Sequence, residues 1–531
     1  MKKKKKISIK RLLPWLVLAC SIALSVGIFA LYGEHNLDSD MSSELVLAQL
    51  LNEEGRFLTD NWFYSTELRV VSPVPLYQLA ISLFDSWHAA RTFSIAVLLA
   101  GVAACLIYAM RGAGIRDAAV YAAAAIVLPL GKAYAFVFTY GGFYTVYFMV
   151  ACLLLGLVLR LPQKRGKALR LALLVGLSVF SGLSGVRMPM VFGVPMLLAC
   201  GILLFERMRA CSRLSELRGE KQTTFFAGAA VIIAGMGIGY LVNTHVFSEF
   251  CHFTDYGSEM VRGFSADLFV KQFDHWFQFF GFRQDVPLIS IYGIANVLAI
   301  LLVFAIGAAL VMLLRDKTLT LEERTIPLLS ACALVVGVIA NGLTERIVSA
   351  YAVSYYIVGI LLGVVSLFMF VSRVKVNMPA LRTVLLLGLV CVFLLETRSY
   401  LGMGYKRTEQ PYEEAADYLV ENGYTTGYAT FWYANVLTEA ADGKLDLYTY
   451  DSFQDDTMLE WLQRVEHKEK MPEGPVFVYV DGMDFADLNW NVPCAQEDHL
   501  AFTTSNGKIY VYDSAEEVEA IQRAYAAEHD R

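Results

Sequence analysis

The chain has 531 residues, 56% of them hydrophobic and only 18% charged, with a mean hydropathy of +0.49. Soluble domains carry about a quarter charged residues, so this composition excludes an ordinary soluble protein and points to helices of about 20 apolar residues that cross a bilayer. The net charge of −6 hides two halves: residues 406–531 hold 9 Lys and Arg against 26 Asp and Glu, and the remainder 35 against 24. The soluble part is acidic and the basic residues lie between apolar runs, which argues against a nucleic-acid partner.

Lys2 to Lys6, Lys10 and Arg11 precede an apolar run over 12–32. No A-x-A-like cleavage site follows it, so the run reads as an uncleaved signal anchor with its basic end, 1–11, in the cytoplasm. Directly beyond it stand Asp38, Asp40 and Glu44. From Asp40 onward apolar residues recur at helical spacing. Asp40 and Glu44 then share one helix face, with Asp38 near the N-cap. Residues 61–69 are rich in aromatic and polar side chains, and 73–84 is apolar but too short to span.

Further spans are expected over 89–110, 118–134, 143–160, 169–185, 189–205, 225–244, 288–313, 326–341, 350–371 and 381–397, eleven with the first. Lys and Arg gather in alternate short loops, while the opposite short loops contain almost only Arg187 and Arg346. Lys/Arg excess marks the cytoplasmic side. The chain is therefore expected to be an α-helical polytopic protein of the plasma membrane, with a membrane domain over 12–400. Its outer loops are 33–88 and 245–287, and 401–531 forms an extracytoplasmic α/β domain. The second loop is long for a connector, and loops of that length tend to carry function or disorder.

The tail alternates helix and strand signals. Helices are expected over 411–422, 434–441, 455–466 and 514–526, and strands over 428–431, 445–450, 476–480 and 509–513. That pattern suggests a layered α/β unit. Of the nine cysteines only Cys251 and Cys494 fall outside the membrane and the cytoplasm. Two free thiols is the simpler reading, and a bridge between them stays open. No Cys/His spacing suggests zinc.

Carboxylates at the outer end of a span can act as a base toward a hydroxyl or hold Mg²⁺ or Mn²⁺. The plain alternative is a helix cap with solvated neighbours. The position ahead of an amphipathic helix favours chemistry. A multi-spanning layout with a carboxylate motif (Asp38, Asp40 and Glu44) in its first large outer loop, and an outer C-terminal domain, resembles the GT-C fold glycosyltransferases. That resemblance implies a sugar donor carried on polyprenyl phosphate and an acceptor that is a glycan, lipid or protein of the cell envelope. Asp38, Asp40 and Glu44 would then be catalytic, with Asp38 and Asp40 as the metal ligands if Mg²⁺ or Mn²⁺ is used.

A phosphate donor needs cations at the outer face. Arg187 and Arg346 break the charge pattern, and Lys132 lies near the outer end of a span. Arginine pairs well with phosphate, and snorkelling is the alternative. Trp62, Tyr64, Glu67 and Asp255 in the outer loops are the candidate substrate contacts. Trp432, Tyr433, Trp461 and Trp490 could stack on sugars or pack the tail's core. A transporter or lipid-linked-sugar flippase would call for charges near mid-membrane and repeat symmetry, and neither is evident. A non-catalytic scaffold would tolerate loss of the carboxylates. The lysine-rich start could touch anionic membrane lipids, and with the scarcity of outer cysteines it suggests a bacterial membrane.

Overall fold

The computed structural model describes residues 9–33, 37–66, 68–210, 220–253, 266–284, 286–342, 350–375, 378–402, 411–454, 457–482, 484 and 492–529. After α1 (Ile9–Tyr32), the next segment folds as α2 (Ser39–Glu54), β1 (Phe63–Tyr64) and α3 (Val74–Ile81). The bundle continues with α4 (Trp87–Gly112), α5 (Asp117–Ile126), a single turn α6 (Lys132–Tyr134), α7 (Phe143–Arg160), α8 (Lys167–Gly182), α9 (Val194–Ala210) and α10 (Glu220–His245). The segment after α10 holds β2 (His252–Phe253) and α11 (Ala266–Phe279). The helices α12 (Ile291–Arg315), α13 (Leu321–Gly342), α14 (Ile357–Arg373) and α15 (Pro379–Leu401) complete the bundle.

Among the described residues nine helices are long and apolar enough to cross a membrane, two fewer than the eleven expected. The two others are short for physical reasons. The expected span over 118–134 breaks: α5 stops at Ile126, ahead of Pro129, and the chain resumes as α6 and a π-helical turn over Ala135–Tyr140. Proline cannot continue a helix without losing a hydrogen bond. The expected span over 169–185 is α8, 16 residues long, or about 24 Å at 1.5 Å per residue. Both segments still connect the two ends of the bundle. Arg116 shares a cavity with Arg373 and Arg382 at one end, while Lys132 and Arg187 act on Asp38 and Asp40 at the other. α8 is pressed against α10 through glycines: a Cβ on Gly239 would stand 2.1 Å from the Val179 carbonyl oxygen. Small residues let membrane helices approach this closely.

The tail folds as α16 (Pro411–Glu421), β3 (Thr426–Thr430), α17 (Phe431–Ala440), β4 (Asp446–Tyr450), α18 (Glu466–Glu469), β5 (Val476–Asp481), β6 (Leu500–Thr503), β7 (Gly507–Tyr512) and α19 (Ala515–His529). Its sheet has the order β4-β3-β5-β7-β6, parallel across β4, β3 and β5 and antiparallel across β5, β7 and β6. Central β5 is buried along its whole length, as expected for a strand covered on both faces. Leu419 and Leu437 of α16 and α17 pack on one face with Phe477 and Tyr479. Val518 of α19 packs on the other with Val476 and Val478.

The helix expected over 455–466 is not formed: residues 457–465 run irregularly. The backbone there has a better use. Phe63 of β1 donates its N–H to the Gln463 carbonyl and accepts from the Leu462 N–H, both at 2.8 Å. The Gln463 side chain meanwhile bonds both the N–H and the C=O of Thr449 at 3.0 Å. Because β1 also pairs with β2, Phe63 joins the segment after α1, the segment after α10 and the tail. The strand Leu500–Thr503 was not anticipated. Cys251 and Cys494 are both free and buried, one beside Trp62 and the other against Val492 and Val518 under the sheet.

The tail's α17 lies along α2 and covers it. Ser39 Oγ donates to the Phe431 carbonyl, and Gln49 Nε2 to that of Gly443 at 3.3 Å. The Trp87 N–H donates to Asp442 Oδ1 at 2.7 Å. At the centre, Arg91 of α4 grips Glu439 of α17 with two bonds of 2.6 Å and donates a third, at 3.0 Å, to the Met41 carbonyl. Its side chain is 0% exposed and that of Glu439 3%.

Candidate functional site

The first turn of α2 builds the site. Asp38 is its N-cap: the Asp40 N–H donates to Asp38 Oδ1 at 2.9 Å, and the Ser42 N–H donates to the Asp38 carbonyl at 2.9 Å. Capping of this kind is worth about 1 kcal/mol and fixes where the carboxylates point. The far end is closed by Gly55 at φ +66, whose left-handed turn returns the Arg56 N–H to the Leu51 carbonyl at 2.9 Å. Between the ends, α2 is buried nearly all round, because the bundle lies under it and the tail over it.

Asp38, Asp40 and Glu44 form a row that sinks into the protein, and each has a cation near it, Arg69 serving both Asp40 and Glu44. Burial, then the charge of Asp40, pushes Asp38 up to about 6, against the pull of the Asp40 N–H and Lys132. Burial raises Asp40 as well, opposed by Arg69 and Arg187. Burial pushes Glu44 up to about 8, opposed by Arg69 and Arg91. At pH 7 Asp38 is therefore mostly ionised and Glu44 mostly protonated. Glu44 Oε2 is buried with no hydrogen-bond partner.

The loops that carry the arginines are tied together. Asn243 of α10 donates to the Leu68 carbonyl at 3.1 Å and to the Leu183 carbonyl at 2.7 Å. The Val71 N–H donates to Ser184 Oγ at 2.6 Å. Arg69 donates to Ser65 Oγ at 3.1 Å and lies 5.7 Å over the Phe143 ring. Arg187 donates to the Tyr144 hydroxyl at 3.0 Å. Lys132 is exposed and stands just ahead of the π-helical turn over Ala135–Tyr140, as Arg187 stands ahead of another over Pro189–Gly193. Such turns recur at functional sites.

Of the residues singled out in the sequence, the structure brings Asp38, Asp40, Glu44, Arg187 and Lys132 to one place. Trp62 and Tyr64 wall a cavity of about 340 Å³ whose polar end is Glu44 and Arg69 and whose other walls include Leu47, Leu51 and Phe180. Trp62 is 1% exposed, and the Tyr64 hydroxyl donates to the Thr59 carbonyl at 3.2 Å. Trp432, next to the residue that Ser39 holds, is 59% exposed, whereas Tyr433 is buried. Arg346, Glu67, Asp255 and Trp490 lie outside the described residues.

Sequence reasoning missed Arg69 and Arg91 as partners of the acids. Arg91 had a signal: an arginine inside an apolar run is a functional candidate by default. It also missed the tail's own acids. Thr430 Oγ1 donates to Asp484 Oδ1 at 2.8 Å and the Tyr479 hydroxyl to Asp481 Oδ2 at 3.2 Å. Tyr412 lies between these and Asp38, and burial with their charges pushes its hydroxyl up to about 12.

Among the described residues no three His, Cys, Asp or Glu side chains gather as a metal site. Asp38 and Asp40 offer two carboxylates beside Lys132, Arg69 and Arg187. Mg²⁺ and Mn²⁺ want several oxygen ligands, of which these two acids would supply part.

No family model matches the chain, and no curated protein matches it. Solved structures do. The chain is similar to ArnT from Cupriavidus metallidurans bound to undecaprenyl phosphate, with a TM-score of 0.55 at 12% identity over 94% of this chain and 98% of that one. To the same protein in the apo state the TM-score is 0.51 at 13% identity, over 96% and 98%. To the apo oligosaccharyltransferase of Archaeoglobus fulgidus it is 0.49 at 13% identity, over 98% and 78%. At such identities the likeness to the two ArnT structures speaks for architecture alone, and the architecture, a multi-pass helical bundle with a sheet-bearing C-terminal region, is the GT-C fold.

Proposed function

We propose that the chain is an integral membrane glycosyltransferase that moves a hexose or pentose from a polyprenyl-phosphate donor to an acceptor hydroxyl on a cell-envelope glycan, lipid or protein. One observation carries this reading: the buried carboxylates of α2 face Lys132, Arg69 and Arg187 at the boundary between bundle and tail. The fold it shares with an ArnT structure that holds undecaprenyl phosphate supports the donor class. The site faces outward from a bacterial plasma membrane, with the N-terminus in the cytoplasm. The Lys/Arg-rich loops at the other end support that orientation.

The acceptor oxygen attacks the anomeric carbon as the bond from that carbon to the phosphate oxygen breaks. Asp38, ionised at pH 7, takes the acceptor's proton. A base whose pKa sits near the working pH suits this task. Charge grows on the departing lipid phosphate, and Arg69, Arg187 and Lys132 are placed to meet it. Fixed charges aimed at developing charge are usually the largest electrostatic contribution to such a step. Asp40 holds the two arginines in position, and protonated Glu44 donates a hydrogen bond at the mouth of the apolar cavity. Trp432 offers an exposed face for a sugar.

The test is transfer from radiolabelled polyprenyl-phosphate sugars in membranes holding wild type, Asp38→Asn or Asp40→Asn at equal expression. Label that moves with wild type and stops in the variants supports the reading. Equal labelling in all three removes the aspartates from the mechanism. No transfer from any donor overturns the enzyme reading and makes lipid flipping the next assay.

A further inference from the structure

The largest of the cavities described lies at the far end of the bundle from the carboxylates. It measures about 740 Å³ and is enclosed by the ends of α1, α5, α14 and α15. Two helix N-termini border it. Arg116 precedes α5 and Met378 precedes α15, and neither helix has a side-chain cap bond there. Uncapped N–H groups and the positive end of the helix dipole favour an anion. Arg116 and Arg382 stand at the rim, exposed, and neither joins an ion pair among the described residues. Arg373 is already held by Glu323 at 2.9 Å and Asp316 at 3.5 Å.

A second observation is independent of these charges. Tyr121 of α5 lines the same cavity and is 2% exposed, and its hydroxyl has no hydrogen-bond partner. A buried hydroxyl left unpaired is costly, and this one borders the space between the two N-termini. Deeper in, the walls turn apolar with Leu13, Met369, Leu386 and Leu387. Asp117 and Glu323 add two opposing charges, Glu323 being the partner of Arg373. The lining thus carries three arginines against two acids, with Arg116 and Arg382 facing Asp117 alone, over an apolar floor.

We propose that this cavity binds one anionic glycerophospholipid, its phosphate held by Arg116, Arg382 and the Tyr121 hydroxyl and its acyl chains lying along α1 and α15. The combination distinguishes it from the catalytic site, whose acids and cations are paired. Basic pockets between membrane helices are known to take anionic headgroups.

The test uses the full chain, purified and delipidated in detergent, with bound lipid read by native mass spectrometry. Phosphatidylglycerol, phosphatidylethanolamine and phosphatidylcholine of matched chains are offered in turn. One phosphatidylglycerol per chain is expected, retained in preference to the other two. The Arg116→Gln/Arg382→Gln pair should weaken its retention by about tenfold or more, since charge-assisted hydrogen bonds are lost. Tyr121→Phe should weaken it several-fold, while the melting temperature of lipid-free protein stays level or rises because the unpaired hydroxyl is gone. Equal retention of the three lipids, or unchanged retention in both variants, overturns the proposal. Displacement by glycerol phosphate as effective as by the lipid overturns it too, in favour of a site for free phosphate esters. If the double variant fails to fold, Tyr121→Phe decides alone.

Discussion

The clamp between Arg91 and Glu439 gives the sharpest test of how the tail is held. In Glu439→Ala, Arg91 loses both 2.6 Å bonds and keeps only the 3.0 Å bond to the Met41 carbonyl and the Tyr77 ring at 5.3 Å. Its guanidinium is 0% exposed, and Nη1 already lacks a partner, so water cannot replace what is lost. Breaking a buried pair from one side costs about 3–5 kcal/mol. If α17 lifts from α2 as a unit, exchange protection of the α2 amides should fall by roughly 10²–10⁴-fold, at about 1.4 kcal/mol per tenfold. Hydrogen exchange on peptides covering 39–54 reads this directly. Arg91→Met/Glu439→Leu should recover all but about 1 kcal/mol, because well-packed apolar side chains often replace a buried pair at little cost. Protection within threefold of wild type in Glu439→Ala would refute the reasoning. A double variant as weak as the single one would refute it equally.

Three further outcomes follow from the same geometry. Transfer by wild type should rise with pH through about 6 and then level off, because Asp38 must lose its proton to act, and full rate at pH 5 would exclude it as the base. Glu44 is pushed from 4.5 up to about 8, so its contribution to stability is complete below 4.5 and lost as pH rises through about 8. Melting temperatures should show Glu44→Gln gaining on wild type between pH 5 and 9, and a constant difference would contradict the burial argument. Gly443 sits at φ +74, and a Cβ there would stand 2.4 Å from the Trp87 ring. Gly443→Ala should therefore cost about 1–2 kcal/mol for the left-handed backbone and about 1–3 kcal/mol more for overpacking, seen as lost α2 protection.

Composition and charge patterning made the membrane bundle legible, because a bilayer imposes length and apolarity on each span. The exceptions were local. Pro129 breaks one expected span, and the short α8 is held against α10 by close backbone contacts at Gly182 and Gly239. In the tail, β5 was readable from its apolar run, whereas 455–466 has helical composition but spends its backbone on Phe63 and Thr449. That choice depends on residues some 400 positions away, as in the Arg464–Glu53 pair at 2.8 Å with a separation of 411. The acids of α2 drew notice by position. Their partners did not, because Arg69 looks like any loop arginine until Asn243 ties its loop to the Arg187 segment. Nothing in the sequence shows that α2 is covered, and its burial is what separates the ionisation of Asp38 from that of Glu44.

The bond between Ser39 and Phe431 spans 392 residues, and this sets a clock on synthesis. A ribosome adding about 5–20 residues per second needs roughly 20–80 s to cover that distance. Throughout that interval the acid-bearing helix is already made while its cover is not. Until α17 arrives, α2 lacks the cover of the tail and Arg91 lacks its counter-charge. A product that stops before α17 thus carries the helices of the bundle without the contacts that Ser39 and Arg91 make with the tail.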